Sequence, residues 1–162
     1  MNLSTLANLV TLFGAAIVVA ICVALHYEAM RFLGRTLGHH VHKRSGVMLV
    51  MLGLLAAHVL EIWVFALGYL LAEKSPGFGY IHGLDNSQIL DYVYYSSVVY
   101  TTLGFGDMLP QGHIRMLSAA ESLAGLALIT WSASFTFLAM QRFWPKPIPK
   151  SNASDNPEDS NH

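Results

Sequence analysis

The sequence is short of charge. Only 12% of its 162 residues are Asp, Glu, Lys or Arg while 54% are hydrophobic, and soluble domains carry roughly 25% charged residues. The membrane class is therefore the first candidate. Cysteine is nearly missing as well: Cys22 stands alone inside an apolar run, which excludes an intrachain disulfide and leaves it as a small packing residue. There is no long basic run and the formal net charge is −1, so nothing points to a nucleic-acid partner. No apolar run carries the repeated arginines of a voltage sensor.

What the sequence has in abundance is apolar length. Leu6 to Leu25 contains no charge, Val47 to Ala72 only Glu61, and Met116 to Met140 only Glu121. Each run reaches the length of about 20 residues that a helix needs to cross about 30 Å of hydrocarbon. The first run lacks a positive leading segment and a clear small-residue cleavage site before His26, so it reads as a retained span and not a leader. Trp131, Phe135 and Phe137 in the last run read as packing or pathway-lining residues.

Sidedness follows from the basic residues. Arg31, Arg35, Lys43 and Arg44 fall between the first two runs and Arg142, Lys146 and Lys150 follow the last, leaving only Lys74 and Arg115 elsewhere. The positive-inside rule places both basic regions in the cytoplasm, with the N-terminus and residues 73–115 toward the outer face. Three spans make that arrangement self-consistent. Residues 142–162, rich in Pro, Ser, Asn and Asp, are expected to be a disordered cytoplasmic tail, without a nucleotide- or calcium-binding domain. Residues 28–45 form a basic, His-rich linker in which Met30, Leu33 and Leu37 recur at helical spacing, as in a short helix at headgroup level. His39, His40 and His42 in that linker are a compositional candidate for metal binding, against the plainer reading of a solvated face.

Between the second and third runs, Gln88 to Thr101 is apolar and aromatic, but its fourteen residues cover only about 21 Å as a helix. It cannot cross, and both its flanks lie on the outer side, so it enters and returns. The returning stretch, "TLGFG", is not helical in character, and such backbone is tolerated at membrane depth only inside protein or along a water-filled path. Gly104 and Gly106 alternate with Leu103 and Phe105, which lets successive carbonyls turn to one side. Such a column, with the Thr102 hydroxyl at its base, offers uncharged ligands to a hard monovalent cation.

"TTLGFGD" resembles the potassium-channel selectivity signature T-x-G-[YF]-G-D. The likeness extends from Val47 to about Met140. It implies an all-α membrane protein with three transmembrane helices per chain, a re-entrant pore helix and an extended filter, assembled as a homotetramer in the lipid bilayer. The implied layout is an N-terminal span in 1–27, then a pore domain over 46–141. That domain comprises an outer helix 47–72, turret 73–87, pore helix 88–101, filter 102–107 and inner helix 116–140. Carbonyls of Thr102, Leu103, Gly104 and Phe105 would coordinate K+, with Gly106 facing the outer mouth. Asp107, Tyr94, Tyr95 and Thr101 would support the filter, either tyrosine donating to Asp107, and Gly125 matches an inner-helix hinge. The resemblance implies no enzyme and no cofactor, only K+ as permeant ion. A small bacterial inner-membrane channel is the expected setting. Phe105 departs from the commoner Tyr and so lacks a hydroxyl. Leu103 departs from Val or Ile, and Val98 stands where some relatives carry an acid.

Three ionisable residues remain inside the spans, where such groups are costly and candidates for function. His58 and Glu61 lie three apart, on one helix face, and Glu121 sits in the third span. They read as an intramembrane polar network or pH sensor. A poorly selective cation channel is the nearest alternative. From another class, His58, Glu61 and Glu121 could serve a small membrane metal-binding protein or enzyme.

Overall fold

The computed structural model describes residues 3–36, 43–84 and 88–143. Four helices carry the fold: α1 (Leu3–Thr36), α2 (Lys43–Glu73), α3 (Ile89–Tyr100) and α4 (Ile114–Phe143). Stretches of 27, 29 and 29 residues in α1, α2 and α4 are long and apolar enough to cross a membrane. Their outward faces carry Phe13, Ile17, Leu55, Leu60, Leu123 and Leu126, all exposed. A helix apolar on every side suits lipid on one face and protein on the other.

Two cores tie the helices together. In one, Ala15 and Cys22 of α1 meet Phe65, Ala66 and Tyr69 of α2 and Leu117, Ala124 and Leu128 of α4, with Tyr92, Tyr95 and Tyr100 of α3 wedged among them. In the other, Met30 and Leu33 of α1 meet Val50, Leu54 and Ala139, with Phe135 against them. These contacts make α1 antiparallel to α2. They also revise the expected headgroup helix after residue 27. Here α1 runs unbroken to Thr36, because no proline interrupts it and Met30 and Leu33 bury against α2 and α4. The linker shrinks to residues 37–42, which with His39, His40 and His42 and the 144–162 tail lie outside the described residues.

The expected all-α class needs a small correction. Strands β1 (Tyr80–His82) and β2 (Leu109–Gln111) pair antiparallel, Ile81 opposite Pro110. Ile81 is buried, and the Ile114 N–H donates to the Phe78 carbonyl at 2.9 Å. This clip fastens the chain leaving residues 102–107 to the chain entering α3.

Candidate functional site

The site begins where α3 stops. At the N-terminal end the Gln88 N–H donates to Asp91 Oδ2 at 3.1 Å, a first-turn acid placed favourably against the helix dipole. At the other end the Leu103 N–H donates to the Val98 carbonyl and the Thr102 N–H to the Val99 carbonyl, each at 3.0 Å. That pair of bonds is a Schellman closure, which requires a left-handed residue just past the cap. The residue is Thr102, with φ of 60°. A β-branched residue there is strained, and such strain concentrates at functional sites.

The left-handed turn then repeats at every second residue. Gly104 has φ of 57° and Gly106 of 85°, while Leu103 and Phe105 keep ordinary backbone. A built Cβ on either glycine meets nothing within 4 Å, so backbone angle and not space calls for glycine at both. This alternation of backbone hand breaks the regular pleat of a strand. Thr101 to Asp107 are all exposed on the single chain, Leu103 at 61% and Phe105 at 65%. Among the described residues, no backbone hydrogen bond joins Gly104, Phe105 or Gly106 to the rest of the chain.

Side chains brace this segment from behind. The Tyr94 hydroxyl donates to Asp107 Oδ2 at 2.9 Å. That bond, then desolvation, raises the Tyr94 phenol above its ordinary pKa. Tyr95, the other tyrosine expected to reach Asp107, turns instead to Ser118 Oγ at 2.8 Å. The helix periodicity explains the split, since neighbouring residues point about 100° apart. Thr101 Oγ1 donates back to the Ser97 carbonyl at 2.6 Å, and Ser122 Oγ of α4 donates to the Val99 carbonyl at 3.2 Å. Val98 is buried. Behind the segment lies a cavity of about 390 Å³ lined by Tyr94, Val98, Gly104, Asp107 and Ser122 among others.

Gly125 of α4 sits at the foot of α3. A Cβ there would lie 2.2 Å from the Tyr100 carbonyl oxygen, so this glycine permits a helix-to-helix contact that no other residue would.

The intramembrane acids divide into two clusters, where one shared network was expected. Glu121 accepts from Tyr69 and lies 2.5 Å from Ser96 Oγ, with Ser118 and Tyr95 adjoining. Glu61 is elsewhere: its Oε1 faces His26 Nδ1 at 2.8 Å, its Oε2 faces His58 Nδ1 at 3.2 Å, and Tyr100 donates to it. His26, fully buried, escaped sequence reasoning. Its only signal was an ionisable residue at the end of a charge-free run, 35 positions from its partner.

Among known proteins, no curated protein and no solved structure matches the chain. A family model described as an ion channel does match, over residues 47–142, a span that takes in α3, the left-handed segment and nearly all of α2 and α4. The chain belongs to that ion-channel family.

Proposed function

We propose that four copies of this chain form a K+-selective channel that conducts passively. The observation that carries the reading is the alternation of backbone hand at Thr102, Gly104 and Gly106, which arrays carbonyls as a ladder of uncharged oxygen ligands. Carbonyl rings of this kind replace the hydration shell of K+ in selectivity filters. Thr102, Leu103, Gly104 and Phe105 supply the rings, and Gly106 opens to the outer mouth. The negative end of the α3 dipole, at Thr102, favours a cation at the foot of the ladder.

One chain supplies one ladder, and a ring needs several. Closed cyclic symmetry provides identical copies, and it covers the exposed Leu103 and Phe105 side chains. With 12 residues, α3 covers about 18 Å, too little to cross, which supports a re-entrant pore helix. The basic residues Arg31, Arg35 and Arg142 support a reading with the C-terminal side of α4 in the cytoplasm and the N-terminus outside.

A poorly selective cation channel is the second reading, favoured by Phe105, which has no hydroxyl to tie the ladder to α3. K+ uptake into liposomes holding purified protein, blocked by Ba2+, tests conduction. Flux that persists in a Gly104→Ala tetramer would remove the carbonyl ladder from the path.

A further inference from the structure

Five groups from four helices meet beside the foot of α3: His26 of α1, His58 and Glu61 of α2, Tyr100 of α3 and Ser132 of α4. The arrangement is nearly symmetric about Glu61. Each carboxylate oxygen faces the Nδ1 of one histidine. On the far side, both Nε2 atoms lie on the same Ser132 Oγ, His26 at 3.1 Å and His58 at 3.0 Å. The Tyr100 hydroxyl adds a contact to His58 Nδ1 at 2.9 Å and one to Glu61.

The protons do not suffice for this ring. With Glu61 ionised and both imidazoles neutral, each histidine, Ser132 and Tyr100 brings a single N–H or O–H. If both histidines donate from Nδ1 to Glu61, both bare Nε2 atoms face Ser132, which has one proton to give. If both donate from Nε2 to Ser132, two bare Nδ1 atoms point at carboxylate oxygens. A mixed assignment leaves one bare Nδ1 against Glu61, where the single Tyr100 proton serves either the nitrogen or the carboxylate. With Glu61 ionised, every such assignment sets lone pair against lone pair in a largely buried site, where an unmade hydrogen bond is costly. The ring is one cation short.

From this we infer that His26, His58 and Glu61 form a binding site for a divalent transition metal of the Zn2+ class, one that goes beyond ion conduction and does not depend on which ion the pore selects. Two imidazoles and a carboxylate are a known donor set for such ions. The three ligand atoms lie within 4.8 Å of one another. Bonds of about 2.0–2.1 Å to nitrogen place neighbouring tetrahedral donors roughly 3.4 Å apart, close to the 2.8 and 3.2 Å separations of the two imidazoles from Glu61. With metal at the Nδ1 side, both Nε2–H groups donate to Ser132, the outer-shell anchoring that ligating histidines usually have. Tyr100 donates to Glu61 and has its own oxygen turned to the same point.

Access fits as well. His58 is slightly open, at 15% side-chain exposure, onto a groove of about 560 Å³ lined by Met51, Leu55, Ile62, Tyr100 and Ser132 among others. That groove is the entry path. Bound there, the ion would pin α1 to α2 and, through Tyr100, to the chain that starts the left-handed segment two residues later.

The test is metal analysis of the purified full-length channel, prepared without chelator, in a background with His39, His40 and His42 changed to Ala so that the linker cannot contribute. Stoichiometric first-row metal, or a visible d–d absorption after chelation and Co2+ loading, is the expected result. Both signals should vanish in H26A and E61Q, and Ser132→Ala should weaken affinity by roughly 10- to 100-fold. Protein free of metal that takes up no Co2+ overturns the site and leaves an extra proton as the missing cation. Metal retained in both H26A and E61Q overturns it too. Should H26A not assemble, the wild-type metal content and the Co2+ spectrum decide alone, and neither depends on flux.

Discussion

Replacing Gly125 by Ala tests how the foot of the left-handed segment is held. The new methyl would lie 2.2 Å from the Tyr100 carbonyl oxygen, 3.0 Å from its carbon and 3.1 Å from the Tyr100 ring. Relieving the first contact moves α3 from α4 by about 0.8 Å, the difference between 2.2 Å and a floor of about 3.0 Å. Backbone cannot yield as a side-chain tip can. Overpacking of this kind costs roughly 1–3 kcal/mol per site, against a gain of about 1 kcal/mol from replacing a helical glycine by alanine. The net is a loss of up to about 2 kcal/mol per chain, at the turn that sets Tyr100, Thr101 and Thr102. Gly14 is the matched control, because a Cβ there meets nothing within 4 Å, so Gly14→Ala should be neutral or slightly stabilising. Thermal melting of the purified assembly and K+ flux into liposomes measure both effects together. G125A should melt earlier than wild type and lose flux while G14A does neither. Equal melting points for the two variants would refute the contact. Lost flux at unchanged stability would assign Gly125 to a hinge instead.

Further expectations concern the left-handed segment and its bracing. Gly104→Ala forces a side chain into left-handed backbone at a cost of roughly 1–2 kcal/mol, and should abolish flux while size-exclusion chromatography still finds the assembly. Tyr94→Phe removes the bond to Asp107 and should speed the decay of current during sustained recording; an unchanged time course would remove the bond from filter support. The same bond predicts a pH response. A phenol raised in the folded state contributes fully below its unfolded value of about 10 and loses the contribution as pH rises through the folded value. The difference between wild type and Y94F should therefore stay constant from about pH 6 to 9. Glu121→Gln sets an amide against the Ser96 and Tyr69 hydroxyls and should destabilise by about 1–3 kcal/mol, read from the melting point.

The sequence made the large features legible because each rests on a local rule. Three runs long enough to cross lipid became α1, α2 and α4, and an apolar stretch too short to cross became α3. Gly104 and Gly106 marked left-handed positions that only glycine adopts freely. Thr102 carried no such mark, since a threonine ordinarily avoids that region and only the closure of α3 onto Val98 and Val99 puts it there. The extension of α1 to Thr36 depended on Val50, Leu54 and Ala139 being in reach, which no local pattern records. The separation of Glu61 from Glu121 had the same cause: two acids in two spans looked alike until His26 and Ser96 were brought beside one each.

The most direct measurement of the central claim is the reversal potential of purified protein in a planar bilayer with K+ on one side and Na+ on the other. A carbonyl ladder from Thr102 to Gly106 predicts a reversal close to the K+ equilibrium potential. A reversal midway between the K+ and Na+ equilibrium potentials would contradict it.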